Sequence, residues 1–186
     1  VKLLRDDSSG IDVAFVQSGV AKPATNDSLQ SIASVFYEPF WVICQSTCTV
    51  QRLSDFKGLR IAASMPDSGT YALARQLFAA NGVDPASLLT MENSEAVKQL
   101  ATGEIDAACF VGNIQSGYID SLTHQKKYKL FDCPRAPAYV SRYPFLSVLT
   151  LPEGIIDLAE NIPPQDITLL SACATLVCRE DFHPAL

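Results

Sequence analysis

The segment Pro66-Asp67-Ser68-Gly69-Thr70 has the residue types of an anion-binding mouth. Glycine and small polar residues let the backbone approach a ligand closely. The free N–H groups of a first helical turn, backed by the positive end of the helix dipole, favour a carboxylate or a phosphate there. Ser68 and Thr70 add hydroxyl groups. The competing reading is plain helix capping, because Ser and Asp are favoured before a helix whether or not a ligand binds. Two more polar groups follow short apolar runs: Gln17-Ser18-Gly19 after residues 13–16, and Gly112-Asn113 after residues 107–111. In an open parallel sheet such strand ends face the crevice where ligands bind. The alternative for Gln17 and Asn113 is a loop-capping hydrogen bond.

The two strand ends belong to a repeat. Ser9-Gly10-Ile11-Asp12-Val13-Ala14-Phe15-Val16 resembles Thr102-Gly103-Glu104-Ile105-Asp106-Ala107-Ala108-Cys109-Phe110-Val111. Each follows a helical signal, each has a Gly where a left-handed helix end is cheap, and each continues into a buried strand. This predicts two helix–strand units of an open parallel sheet, related by duplication. The rest alternates helix and strand. Strands are expected at 32–37, 40–44 (after Glu38-Pro39), 59–64, 88–91, 128–131, 145–151, 166–170 and 174–178. Helices are expected at 70–80, stopped by Asn81-Gly82, at 94–101 with Ser94 as N-cap, and at 135–143. Residues 1–5 read as a helix already under way, and 181–186 as the first turn of another, so the chain reads as a fragment.

Composition narrows the function. Apolar residues make up 48% and charged residues 18%, so a real core forms. With a net charge of −6 and no basic run longer than Lys126-Lys127, the chain lacks the stripe a nucleic-acid surface needs. No apolar run reaches the roughly 18–20 residues of a membrane span. With two His (124 and 183) and no Cys-x-x-Cys pair, zinc and other cofactors are not expected. No nucleophile elbow, metal triad or P-loop is present, which argues against an enzyme. The six cysteines, 44, 48, 109, 133, 173 and 178, are either small buried residues or disulfide partners.

Further stretches complete a resemblance. Residues 11–18, Ile32-Ala33-Ser34-Val35-Phe36-Tyr37-Glu38-Pro39, Leu53-Ser54-Asp55-Phe56-Lys57-Gly58-Leu59-Arg60-Ile61, residues 66–70, residues 103–108 and Arg142-Tyr143-Pro144-Phe145 follow the order and spacing of one family. The chain resembles the TAXI subgroup of TRAP transporter solute receptors. The resemblance implies a two-lobed, type II periplasmic-binding-protein-like α/β fold with open mixed sheets and two hinge crossovers. The first lobe would be incomplete, lacking the family's first strand and closing helices. Residues 1–40 plus 171–186 would form that partial lobe 1, and 41–170 lobe 2. Location would be periplasmic or extracytoplasmic, with a membrane permease as partner, and the ligand a small anionic or zwitterionic metabolite such as glutamate or a dicarboxylate. Gln17, Ser18, Tyr37, Ser68, Gly69, Thr70 and Asn113 would line the interlobe cleft. A half-buried core ring is the alternative for Tyr37, and Glu38 reads as an exposed or structural carboxylate. Arg5, Arg60, Arg75, Arg135, Arg142 and Arg179 all remain open as carboxylate clamps. On the crossovers, Cys44 would face Cys173 or Cys178, or pair locally with Cys48. An ATP-driven importer's binding protein and a transcription regulator's effector domain are the alternatives.

Overall fold

The computed structural model describes residues 1–20 and 29–182. The readings made for His183 and the last turn lie outside the described residues. Strands and helices alternate as β1 (Val13–Gln17), β2 (Leu29–Gln45), β3 (Ile61–Ala62), α1 (Gly69–Ala80), β4 (Leu88–Leu89), α2 (Asn93–Thr102), β5 (Ala107–Val111), α3 (Gly117–Thr123), β6 (Tyr128–Leu130), α4 (Ala136–Arg142), β7 (Leu146–Leu151) and β8 (Ile167–Arg179). Residues before β1 form two short 3-10 turns rather than the expected helix. The Asp6 carboxylate there accepts the Ser8 N–H at 3.0 Å, a local bond that competes with helix continuation.

The strands form a mixed sheet in the order β1-β8-β2-β5-β3-β4, with β6 beside β2 and β7 beside β8. β3 lies parallel to β4 and β5, as helical crossovers require. The two repeated segments do share a local path, with Gly10 and Gly103 left-handed at φ 68° and 77°. Only β5 lies in the parallel part, however. β1 is the sheet's edge and runs antiparallel to β8.

The expected breaks in the two crossovers are absent. β2 and β8 run straight through and pair with each other, from Leu29↔Arg179 to Phe40↔Leu170. Pro39 survives inside β2 for a directional reason. N–H and C=O of one strand residue point to the same side, and the Pro39 carbonyl accepts from Gly112, just past the end of β5. The missing donor therefore falls where no strand remains to use it, and the β8 ladder is untouched. In β8, Ser171 is buried, with its hydroxyl donating to the Ser147 carbonyl at 3.3 Å. Ladder register shifts lie between Ser31 and Ala33 and between Ser34 and Phe36. A smaller correction concerns α2, where Glu92 is the N-cap and Ser94 sits inside the helix.

Beyond Pro39, β2 is buried on both faces, and alternation sorts its side chains between two cores. Phe40, Val42 and Cys44 join Leu73, Leu77 and Phe78 of α1, with Phe56 and Phe131. Trp41 and Ile43 join Ala96, Leu100, Phe110, Ile119 and Leu122 on the opposite face. The other half of β2 differs. Every residue from Gln30 to Tyr37 is exposed, so neither sheet face is covered there. Phe15, Ile32, Val35, Phe36 and Tyr37 are exposed apolar side chains on that ribbon. Register also overturns the hinge cysteine pairing. Cys44 lies opposite Ala107 and Lys129, beyond the last β8 partner of β2, whereas Cys173 faces Tyr37 and Cys178 faces Gln30.

Phe56 is fully buried with ring edges on Phe78 (5.6 Å) and Phe131 (5.4 Å). Phe56→Ala removes a ring that joins three segments of one core. Its expected cost is about 3–5 kcal/mol, read as a lower denaturation midpoint in urea.

Candidate functional site

The mouth begins where β3 ends. The Ala63 N–H donates to the Leu89 carbonyl at 2.9 Å, and Ser64 then turns the chain with a left-handed φ of 66°. A non-glycine residue there is uncommon and mildly strained. Ser68 caps α1, accepting from the Tyr71 N–H at 3.1 Å while its own hydroxyl donates to the Met65 carbonyl at 2.7 Å. Thr70 is buried, and its Oγ1 accepts the Val111 N–H at 3.1 Å. Both hydroxyls thus hold the mouth together, tying α1 to its own loop and to the end of β5. The mouth residue that lines the cleft is Gly69.

Gly69 meets β1 across the cleft. The Gln17 Nε2 donates to the Gly69 carbonyl at 3.3 Å. A Cβ at position 69 would overlap the Gln17 side-chain amide as it stands, so a larger residue there would have to displace that amide. Gln17 and Gly69 line a cavity of about 340 Å³ together with Phe15, Phe36, Glu38 and Ala174. That size lies within the range of small-molecule pockets. Alternation decides which β2 side chains reach it. Phe36 and Glu38 line the cavity, and Tyr37 between them projects from the opposite face, 59% exposed.

Ser18 and Asn113 are not among the residues lining this cavity. Ser18 Oγ is 3.2 Å from Thr175 Oγ1 on β8. Asn113 is exposed two residues past Val111, and its Oδ1 accepts the Gln115 N–H at 2.9 Å, a local turn bond. Of the arginines, Arg60 holds Asp106 at 2.7 Å, and Arg179 holds Asp7 and Asp181, each at 2.8 Å. Both are occupied by the chain's own carboxylates. Glu38, read from the sequence as an exposed or structural carboxylate, lines the cavity. It is half-buried, burial pushes its carboxyl up from the ordinary glutamate value, and no hydrogen bond or ion pair reaches it among the described residues. The signal was its parity with Phe36, which needs the strand's facing to be known.

A larger cavity of about 460 Å³ lies elsewhere, between the end of α3, β6 and residues 160–167. Its walls include Ile43, Leu122, Leu130 and Ile167, and the Lys126–Glu160 ion pair (2.8 Å) stands at it. It lacks the approach of two separate sheet regions that distinguishes the Gln17–Gly69 cleft. Among the described residues no helix is long and apolar enough to cross a membrane.

Two long strands carrying a helix-covered sheet at one end and an uncovered strand ribbon at the other, with a cleft between, match the type II periplasmic-binding-protein fold. Residues 11–185 match the model of the NMT1-like family, and the chain belongs to that family. Among solved structures, it is similar to the amino acid ABC transporter substrate-binding protein AbpA of Streptococcus pneumoniae bound to L-arginine. Identity is 13% and the TM-score 0.52, over 94% of this chain and 57% of that one. It is also similar to the aliphatic sulphonate binding protein SsuA of Escherichia coli, at 11% identity and TM-score 0.48, over 89% of this chain and 48% of that one. A third is the arginine-, lysine-, histidine-binding protein ArtJ of Geobacillus stearothermophilus, at 14% identity and TM-score 0.48, over 83% and 51%. The chain thus spans about half the length of the solved structures it matches.

Thr70→Val keeps the shape of residue 70 but leaves the Val111 N–H without its acceptor. The expected loss is about 1–3 kcal/mol of stability, measured by chemical denaturation.

Proposed function

We propose that this chain is the ligand-capturing part of an extracytoplasmic solute receptor that closes around a small zwitterionic metabolite and delivers it to a membrane permease. The observation that carries this reading is the cleft itself: Gln17 at the end of β1 meets the glycine mouth of α1, with an unpaired carboxylate, Glu38, in the wall. The amide-rich mouth favours the ligand's carboxylate. Glu38 favours its ammonium group, since a half-buried carboxylate without a partner gains most from a cation. This narrows the expected ligand from anionic or zwitterionic to zwitterionic. Residues 1–40 with 171–186 would form one wall, and 41–170 the other. Ligand contacts on both walls stabilise the closed form, which the permease reads.

The sequence resemblance in residues 32–39 and 66–70 supports a TRAP-type receptor of the TAXI subgroup. An ABC-importer binding protein is the second reading, favoured by the fold shared with AbpA. No chemistry on a bound substrate is needed in either case.

Calorimetry with L-glutamate and with glutarate, which lacks only the amine, tests the site. The expected result is tighter binding of L-glutamate, by about tenfold or more, and loss of that preference in Glu38→Gln. Equal affinity of the wild type for both would remove Glu38 from the site. The pH dependence has a definite sign. Glutamate affinity should rise as pH climbs through the raised Glu38 value, where the carboxylate appears, and Glu38→Gln should flatten the curve. Stability runs the other way. The unfolded chain ionises Glu38 at lower pH than the folded one, so folding loses stability as pH rises from the ordinary glutamate value upward. Glu38→Gln should therefore melt higher than wild type at neutral pH, and the gain should vanish under acidic conditions.

A further inference from the structure

The turn that ends β2 places two thiols together. Cys44 is the penultimate residue of the strand and is fully buried. The chain then reverses through Gln45-Ser46-Thr47-Cys48, closed by the Cys48 N–H donating to the Gln45 carbonyl at 2.9 Å. The Ser46 N–H, donating to the Lys127 carbonyl at 2.8 Å, fixes the turn against the chain before β6. Cys48 folds back onto the core cluster that holds Cys44, Leu53 and Phe56. Cys44 and Cys48 are thus four residues apart on either side of one closed turn, with both side chains on the same core cluster. Elsewhere, Cys173 donates to the Phe36 carbonyl at 3.4 Å, and Cys109 is enclosed in the sheet.

We propose that Cys44 and Cys48 form a reversible intrachain disulfide, a covalent staple across the turn where the first long strand leaves the hinge. The oxidant is a small-molecule or protein disulfide of the glutathione type. Cys48, the half-buried member, enters first. Its sulfur attacks one sulfur of glutathione disulfide, forming a mixed disulfide and releasing one glutathione. The Cys44 sulfur then attacks Cys48 Sγ, closing the ring and releasing the second glutathione. Two thiol protons pass to the two glutathiones, and the two electrons lost by the chain reduce one disulfide. Burial first, and then the neighbouring Cys48, push the Cys44 thiol up to about 12, so Cys44 is poorly suited to open the exchange and serves as the resolving group. In an oxidising compartment the staple forms, and in a reducing one it opens.

The full 186-residue chain is equilibrated with glutathione disulfide, quenched with iodoacetamide, and digested with trypsin. Lys22 precedes Pro23, which resists cleavage, so Cys44 and Cys48 fall in one peptide running from residue 6 to Arg52, with no other cysteine. The expected product is that peptide, unalkylated and lighter by two hydrogen atoms, returning to the doubly alkylated form after reduction. Oxidised protein should melt higher than reduced, by roughly 2–6 °C. Cys48→Ser should abolish both the mass change and the oxidant-dependent shift. Double alkylation of the 6–52 peptide despite excess oxidant would overturn the proposal. So would a cross-link from it to the peptides bearing Cys133 or Cys173.

Discussion

The structure depends on the pairing of β2 with β8. These two antiparallel strands are the only backbone ladder joining the helix-covered region to the bare ribbon at β1 among the described residues. Everything that positions the cleft refers to them. β5, whose last N–H anchors α1 through Thr70, lies against β2. β1, whose last residue is Gln17, lies against β8. The sheet order β1-β8-β2-β5 is therefore symmetric in kind, with each strand of the repeat flanking one long strand. β1 reaches the crevice directly through Gln17, whereas β5 supports its other side indirectly, by anchoring α1 beside Gly69 through Thr70.

The helices and most strands were legible because their signals are local. The 70–80 helix with its Asn81-Gly82 stop, and the left-handed glycines before β1 and β5, follow from residue type alone. The hinge was misread at Pro39 and around Ser171. In both places a strand-breaking residue type is neutralised by a neighbour distant in sequence: the end of β5 for the proline, the Ser147 carbonyl for the serine. Local pattern carries no information about either. The expected parallel arrangement of β1 failed for a related reason, since helix–Gly–strand fixes a path but not a partner.

The site shows the same limit at the scale of single atoms. Ser68 and Thr70 were read as ligand hydroxyls, with plain helix capping as the competing reading, and Ser68 does cap α1. Their hydroxyls are bonded to the loop and to β5, and the mouth residue that lines the cavity is Gly69. Tyr37 and Glu38 exchanged prominence because a strand shows alternate residues to opposite faces, and sequence alone did not say which face the cleft occupies. A one-residue error in facing moves an aromatic ring out of the cleft and a carboxylate into it. That second change alters the charge the ligand should carry.

The two register shifts in β2 have a mechanical consequence. A bulge disrupts the ladder locally and deepens the strand's right-handed coil. Both shifts fall between Ser31 and Phe36, whereas the pairing from Phe36 to Phe40 is regular. The strand pair is thus a stiff shaft joined to a compliant end. Gln17, whose partner Ala174 lies opposite Phe36, is carried at the junction of the two, so torsion of the compliant end would leave its approach to Gly69 in place.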